Sequence, residues 1–297
     1  MRQIVQCVPN ISEGRRLDMV EEIVDQVRQT EGVQLLDYSS DYDHNRSVIT
    51  YVGSLTAVAE ASFRLTQTAI GLINMEEHQG AHPRIGAVDV IPFIPIENVT
   101  MEECVQGARE LGKRIFAELA VPVYLYGEAA ATPSRRNLSR IRRGQYEGLK
   151  KAVQDKGRQP DFGPPQLHPT AGAVVVGARM PLIAFNVNLG TDNREVADQI
   201  ARAVRESSGG FKHVKAMGVT LEERGEVQVS MNLENYKLTP IYRVLEMVRR
   251  EAARYGVAVV GTELVGLVPQ QALIDAAEWY LQLESFSPEQ VLENRLR

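Results

Sequence analysis

A histidine in a glycine-rich loop is the strongest candidate for chemistry in this sequence. His82 lies within residues 80–86 (GAHPRIG), directly before an apolar stretch that predicts a buried strand. An imidazole that is partly exposed in such a loop titrates near neutral pH and can act as a general acid or base. The alternative is a structural histidine whose hydrogen bonds hold the loop. Residue types alone leave both interpretations open.

A second polar cluster, residues 41–46 (DYDHNR), stands at the end of a predicted strand. The simple interpretation is a solvated turn. The functional interpretation is that Arg46 binds a carboxylate of the substrate, because a guanidinium binds a carboxylate through two parallel hydrogen bonds. Further candidates for binding substrate or supporting His82 are Asp41, His44, Asn45, Arg84, Asn10 and Asn188. Asn10 and Asn188 follow or end strands, so helix capping is their ordinary role.

Two apparent motifs are rejected. His78 and His82 are four residues apart, which is the spacing of two zinc ligands on a helix, but Gly80 and Pro83 oppose a helix here. Residues 107–114 (GARELGKR) nearly match a phosphate-binding loop. Arg114 stands where that loop needs Ser or Thr for magnesium, and the segment lies inside a helix that begins with a capping box at Thr100. We therefore predict no metal site.

Composition narrows the class of protein. The chain of 297 residues has a formal net charge of −5 and 6% aromatic residues, which argues against nucleic-acid binding. Its basic cluster, residues 135–143, is interpreted as a solvated helix face, with attraction of an anionic substrate as the alternative. Two cysteines, Cys7 and Cys104, are predicted to be buried thiols. No signal peptide or membrane span is predicted, so we expect a cytoplasmic protein.

The periodic pattern of strands and helices repeats. Residues 3–93 and 182–261 both read β-α-β-β-α-β, the split βαβ or ferredoxin-like pattern. The predicted fold class is α/β (α+β), with two tandem ferredoxin-like subdomains at residues 1–180 and 181–297. We expect a ligand cleft between them. A proline- and glycine-rich stretch, residues 156–169, is predicted to be a long ordered loop of the kind that is often functional.

Several long blocks resemble the glutamate formimidoyltransferases, and the resemblance runs essentially from end to end. The blocks are residues 7–14 (CVPNISEG), 80–90 (GAHPRIGAVDV), 121–129 (VPVYLYGEA), 160–164 (PDFGP), 182–189 (LIAFNVNL) and 264–269 (LVGLVP).

The resemblance implies a homodimer of two α/β subdomains with a folate-binding cleft. It implies transfer of a formimino group from N-formimino-L-glutamate to N5 of tetrahydrofolate, the co-substrate, in histidine degradation. A separate cyclodeaminase would act downstream. The family's catalytic histidine falls on His82. The folate-contacting segment falls on Gly163, Pro164, Pro165, Gln166, Leu167, His168, Pro169, Thr170, Ala171 and Gly172.

Two alternatives remain open at this point. The same fold could transfer a formyl group from formylglutamate, or act on 5-formyltetrahydrofolate. It could also be a non-catalytic folate or amino-acid sensor, because ferredoxin-like units serve as regulatory modules and fold does not determine function. RNA binding would need paired aromatic residues and a basic face.

Overall fold

The computed structural model describes residues 3–295, with two compact units, Met1–Arg179 and Met180–Arg297. The first unit begins with β1 (Ile4–Cys7), β2 (Asn10–Ile11), α1 (Leu17–Arg28), β3 (Val33–Asp41), β4 (Arg46–Gly53), α2 (Leu55–Leu72) and β5 (Val88–Glu97). β1 and β2 are two pieces of one strand, interrupted at Pro9, which lacks the backbone donor that a ladder needs. The order β3-β4-β1/β2-β5, antiparallel throughout, is ferredoxin-like and confirms that prediction.

The first unit then extends this sheet. It continues with α3 (Met101–Leu119), β6 (Val123–Gly127), α4 (Leu138–Ile141), α5 (Gln145–Ala152) and β7 (Val174–Ala178). β7 pairs in parallel with both β5 and β6, so seven of the described strands form one sheet. The sequence pattern did not predict β7 or α5. The helix expected over the basic cluster is shorter, because the Asn137 side chain accepts from Ser139 N and caps α4 there.

The second unit repeats the ferredoxin-like order without an extension. It contains β8 (Ile183–Leu189), α6 (Arg194–Val204), β9 (Val214–Leu221), β10 (Glu226–Leu233), α7 (Ile241–Arg254), β11 (Val259–Val265) and α8 (Gln270–Leu281). Its antiparallel sheet runs β11-β8-β10-β9. The N-cap of α6 is Asn193, whose side chain accepts from Glu195 N, and the Thr239 hydroxyl donates to the Lys212 carbonyl.

Each unit has its own apolar core. In the first, α1 turns one face inward through Val20, Ile23, Val24 and Val27, which have the spacing of an amphipathic helix. The predicted capping box at Thr100 and Glu103 is present at the start of α3. Cys7 and Cys104 are buried free thiols. Among the residues described, no helix is both long and apolar enough to cross a membrane.

Candidate active site

Two loops of the first unit meet to hold His82. The turn between β3 and β4 carries His44, and the loop before β5 carries His82. Their backbones pair, with Ala81 N donating to Asp43 O at 3.1 Å and His82 N donating to His44 O at 3.4 Å. A Cβ at residue 80 would lie 2.3 Å from the His44 carbonyl oxygen. Glycine at this position therefore allows the close approach that positions His82.

Asn45 fixes the turn that faces His82. It is buried and adopts a left-handed backbone conformation, with φ of 47°. Its side chain accepts from Gly14 N at 2.9 Å and donates to the Gln79 carbonyl at 2.8 Å. Its own carbonyl lies 2.9 Å from His78 Nε2. These contacts make Asn45 a structural support for both loops, because its amide groups are already occupied.

The imidazole of His82 faces Arg46 on one side and has an unpartnered nitrogen on the other. His82 Nδ1 lies 3.5 Å from Arg46 Nη1. A guanidinium only donates, so Nδ1 accepts and the neutral ring carries its hydrogen on Nε2. Among the described residues, His82 Nε2 is buried without a hydrogen-bond partner, and so is Arg46 Nε. Buried polar atoms without partners on two contacting side chains indicate a place where a ligand supplies the partners.

Arg142 is a third member of this group, and residue types and spacing alone did not predict its role. It lies just after α4 and pairs with the buried carboxylate of Asp89, whose other oxygen accepts from Ile85 N at 2.9 Å. Arg142 Nε is another buried atom without a partner in the described part of the chain. The available signal was the basic cluster at residues 135–143, for which attraction of an anion was the alternative interpretation.

The group is electropositive. Burial, followed by the charges of Arg142 and Arg46, lowers the pKa of His82 to about 2. Burial also lowers the pKa of Arg46, and the charge of Arg142 adds to that effect. In the free protein the His82 ring is therefore uncharged at neutral pH. A bound carboxylate would offset the two guanidinium charges and raise the pKa of His82.

The Asp41 carboxylate contacts His44 and not His82. Its carboxylate accepts from the His44 backbone N at 2.8 Å and lies 3.0 Å from His44 Nδ1. The backbone hydrogen bond is the main reason why the pKa of Asp41 is lowered. The imidazoles of His44 and His82 are tilted, with centroids 6.4 Å apart. Asp41 therefore orients the turn, and its link to His82 runs through the backbone contact between the loops.

Three other candidates have defined surroundings. Arg84 is buried and forms a two-point ion pair with Glu147, at 2.7 and 2.9 Å, and donates to His78 Nδ1 at 3.1 Å. Asn10 lies in β2, where its amide donates to Val8 O at 3.4 Å. Asn188 lies in β8 of the second unit, where it accepts from Gln228 Nε2 at 2.8 Å. Of the two candidate arginines, Arg46 keeps donors free for a ligand.

Residues 163–172 are tied to the strand entry that follows His82. Ala87 N donates to Ala171 O at 2.9 Å, and Ala173 N donates to Ile85 O at 3.0 Å. His168 and Gly172 close a tight turn by exchanging backbone hydrogen bonds of 2.9 and 3.2 Å. The segment exposes Pro164, Gln166, Pro169 and Thr170 and buries Ala171 and Gly172. Its exposed part is available to a ligand, and its buried part connects it to the His82 loop.

The surroundings of the histidines predict a pH-dependent stability. Burial lowers the pKa of His78, His82 and His168 below the ordinary 6.5. The unfolded chain therefore binds protons at a higher pH than the folded chain does. The free energy of unfolding should be highest above about pH 7 and fall as the pH drops below about 6.5. Urea unfolding at about pH 7.5 and about pH 5.5 measures this.

A control separates His82 from other groups that titrate. The His82→Asn variant, which cannot take up the proton, should lose less stability over the same pH interval. Equal midpoints at both pH values in the parent protein would contradict the assigned protonation states.

Metal ligands do not cluster in this region. Across residues 3–295, the structure contains no group of three or more His, Cys, Asp or Glu side chains arranged to hold a metal ion. The chemistry that the site offers with its own groups is proton transfer by a neutral imidazole next to two guanidinium groups.

Comparisons with known proteins agree in both units. The model of the formiminotransferase domain, N-terminal subdomain, matches residues 4–179, and the model of the formiminotransferase domain matches residues 184–295. A glutamate formimidoyltransferase of Streptococcus pyogenes is 48% identical over 100% of this chain and 99% of its own. One of Thermoplasma acidophilum is 50% identical over 99% and 97%. The formimidoyltransferase-cyclodeaminase of Mus musculus is 47% identical over 96% of this chain and 53% of its own length.

Proposed function

The chain belongs to the formiminotransferase family, and from this premise we propose that it is a glutamate formimidoyltransferase. It transfers the formimino group of N-formimino-L-glutamate to N5 of tetrahydrofolate, giving L-glutamate and 5-formiminotetrahydrofolate in the degradation of histidine. The supporting observation is the neutral His82, whose unpartnered Nε2 lies in a group that also contains Arg46 and Arg142. Relatives at 48% and 50% identity that carry this name support the same activity.

The two arginines account for recognition of the donor. Formiminoglutamate carries two carboxylates, and the site holds two guanidinium groups with unpartnered buried Nε atoms, those of Arg46 and Arg142. Arg142 already forms an ion pair with the Asp89 carboxylate. Arg46 has no ion-pair partner among the described residues. Arg46 is therefore assigned as the main carboxylate ligand, with Arg142 as the supporting charge.

His82 accounts for the proton transfers. N5 of tetrahydrofolate attacks the amidine carbon, and a tetrahedral intermediate forms. The bond from that carbon to the glutamate nitrogen then breaks. The His82 ring gives its Nε2 hydrogen to the departing nitrogen and takes back at Nε2 the proton that N5 loses, so the ring ends in its starting tautomer. Nε2 is the atom available for this exchange, because Nδ1 faces Arg46. Holding the two substrates in attack geometry supplies much of the remaining acceleration.

Residues 163–172 are proposed to contact the folate. The segment combines exposed side chains with a backbone that is hydrogen-bonded to residues 85–87, directly after His82 in the chain. A folate bound to the exposed part of this segment would contact a backbone that is itself hydrogen-bonded to the loop carrying His82. In the same proposal, residues 1–180 and 181–297 are the N-terminal and C-terminal formiminotransferase subdomains.

We also propose that the enzyme is a homodimer in the cytoplasm. The second unit exposes a set of large apolar side chains on β11 and α8: Val260, Leu264, Val265, Leu273, Trp279, Tyr280 and Leu281. Exposed apolar side chains mark a protein interface where they adjoin one another. The two buried free thiols suit a reducing compartment. Light scattering of the purified protein would measure the mass in solution.

The donor specificity is tested by comparing two donors. Formiminoglutamate and formylglutamate differ at one atom, an imino nitrogen in place of a carbonyl oxygen. We expect the formimino compound to have the larger kcat/KM with tetrahydrofolate as acceptor. Glutamate release from each donor measures this. A larger kcat/KM for formylglutamate would move the assignment to a formyltransferase of the same fold.

A further inference from the structure

The first unit holds a second basic site. A cavity of about 410 Å³ is lined by four arginines, Arg135, Arg140, Arg143 and Arg158, together with Tyr124. The lining includes neither His82 nor the two arginines assigned to the donor. Arg142 contacts Asp89 beside His82, while Arg140 and Arg143 line the cavity. The short segment from Leu138 to Arg143 therefore supplies charge to two separate places.

The charge in this cavity is poorly balanced. Arg135 pairs with Asp161 at 2.7 Å and lies over the Tyr124 ring, 5.4 Å from its centroid. In the part of the chain that the structure describes, Arg140, Arg143 and Arg158 have no carboxylate within ion-pair distance. Four guanidinium groups thus face one acidic partner. A concave surface with uncompensated positive charge concentrates anions.

Contacts with the backbone hold Arg158 in place. Arg158 Nη1 donates to the Arg140 carbonyl at 2.9 Å, and Nη2 donates to the Arg143 carbonyl at 2.8 Å. The Tyr124 hydroxyl donates to the Arg158 carbonyl at 2.6 Å. Arg158 Nε is buried and has no partner among the described residues. The guanidinium is thus oriented without an acid, and one of its donors still needs an acceptor.

We propose that this cavity is a binding site for a small anion with two or more negative charges, separate from the site at His82. Its volume falls within the range of about 300–1,000 Å³ that small-molecule sites occupy. The planar guanidinium group of arginine matches the oxygen spacing of both phosphoryl and carboxylate groups. Diphosphates and tricarboxylates therefore both have the acceptor oxygens and the negative charge that this cavity would bind. The site is inferred from the cavity and its charges and does not depend on the proposed function.

Titration calorimetry of the full chain at low ionic strength tests this site, with inorganic pyrophosphate and, separately, citrate as probes. We expect one probe molecule per chain at this cavity. The double variant Arg140→Gln/Arg143→Gln should weaken binding by roughly tenfold for each arginine removed. Both side chains are exposed, so the variant should fold. Tighter binding of pyrophosphate assigns the site to phosphoryl anions, and tighter binding of citrate assigns it to carboxylates.

Two single variants complete the design. Arg109→Gln removes an exposed arginine of α3 outside the cavity and should leave the affinity unchanged. Arg46→Gln should also leave it unchanged. The proposal is overturned if neither probe binds, if the double variant binds as the parent does, or if Arg46→Gln abolishes binding. The last result would place the anion at His82. Because binding is measured without turnover, none of these results bears on the transferase assignment.

Discussion

Replacement of His82 by Ala should lower kcat roughly 10²–10⁴-fold, the usual contribution of one acid-base group. His82 has a neutral imidazole with a buried, unpartnered Nε2, and no other candidate side chain combines these properties in the described chain. KM for both substrates should change much less, because the proposed role is proton transfer and not binding. Initial rates of glutamate release over a range of both substrates would measure the two parameters.

His213→Asn is the matched control for that variant. His213 lies in the second unit and has a positive φ of 62°, which Asn tolerates. This variant should keep the parent kcat. Thermal unfolding followed by circular dichroism would show that both variants are folded. Turnover near the parent value in His82→Ala would remove His82 from the mechanism.

Arg46→Gln should raise KM for formiminoglutamate roughly 10–100-fold, with a smaller effect on kcat. A hydrogen bond to a charged group contributes about 1.5–3 kcal/mol, and the change removes both the donors and the charge. The loss of that charge should also raise the pKa of His82, since Arg46 is one of the causes of its depression. Steady-state kinetics with formiminoglutamate as the varied substrate gives KM. The pH profile of kcat/KM reports the shift.

Arg15→Gln is the control for charge alone. Arg15 is exposed near the same turn, where its Nε donates to the Tyr42 carbonyl at 2.9 Å. If Arg46 binds a carboxylate directly, KM should change in Arg46→Gln and stay nearly constant in Arg15→Gln. Equal increases in the two variants would show that the site attracts its substrate only by general electrostatics.

Local patterns in the sequence predicted most of the fold. The alternation of strand and helix periods indicated two ferredoxin-like units, and the structure confirms the 4-1-3-2 strand order that this pattern implies. The capping box at Thr100 is a short-range signal and was predicted correctly. His82 stood out because glycine and proline surround it. Such features depend on residues that are close in the chain, so periodicity and residue type are sufficient to find them.

Features that depend on distant residues were not predicted. Arg142 reaches its partner Asp89 across 53 positions, so the basic cluster looked like a solvated surface. β7 is a short apolar segment after a long loop, and its parallel partners are β5 and β6. The structural role of Arg84 likewise depends on Glu147, 63 positions away. In each case the role of the residue or strand depends on a contact with a segment that is distant in the chain. Only the tertiary fold brings the two segments together.

The most direct test is to mix the purified protein with formiminoglutamate and tetrahydrofolate and follow both products. We expect glutamate and 5-formiminotetrahydrofolate in equal amounts, with both rates lost together in His82→Ala. Tight binding of tetrahydrofolate with no release of glutamate would contradict the transferase assignment and leave a folate-binding sensor of the same fold.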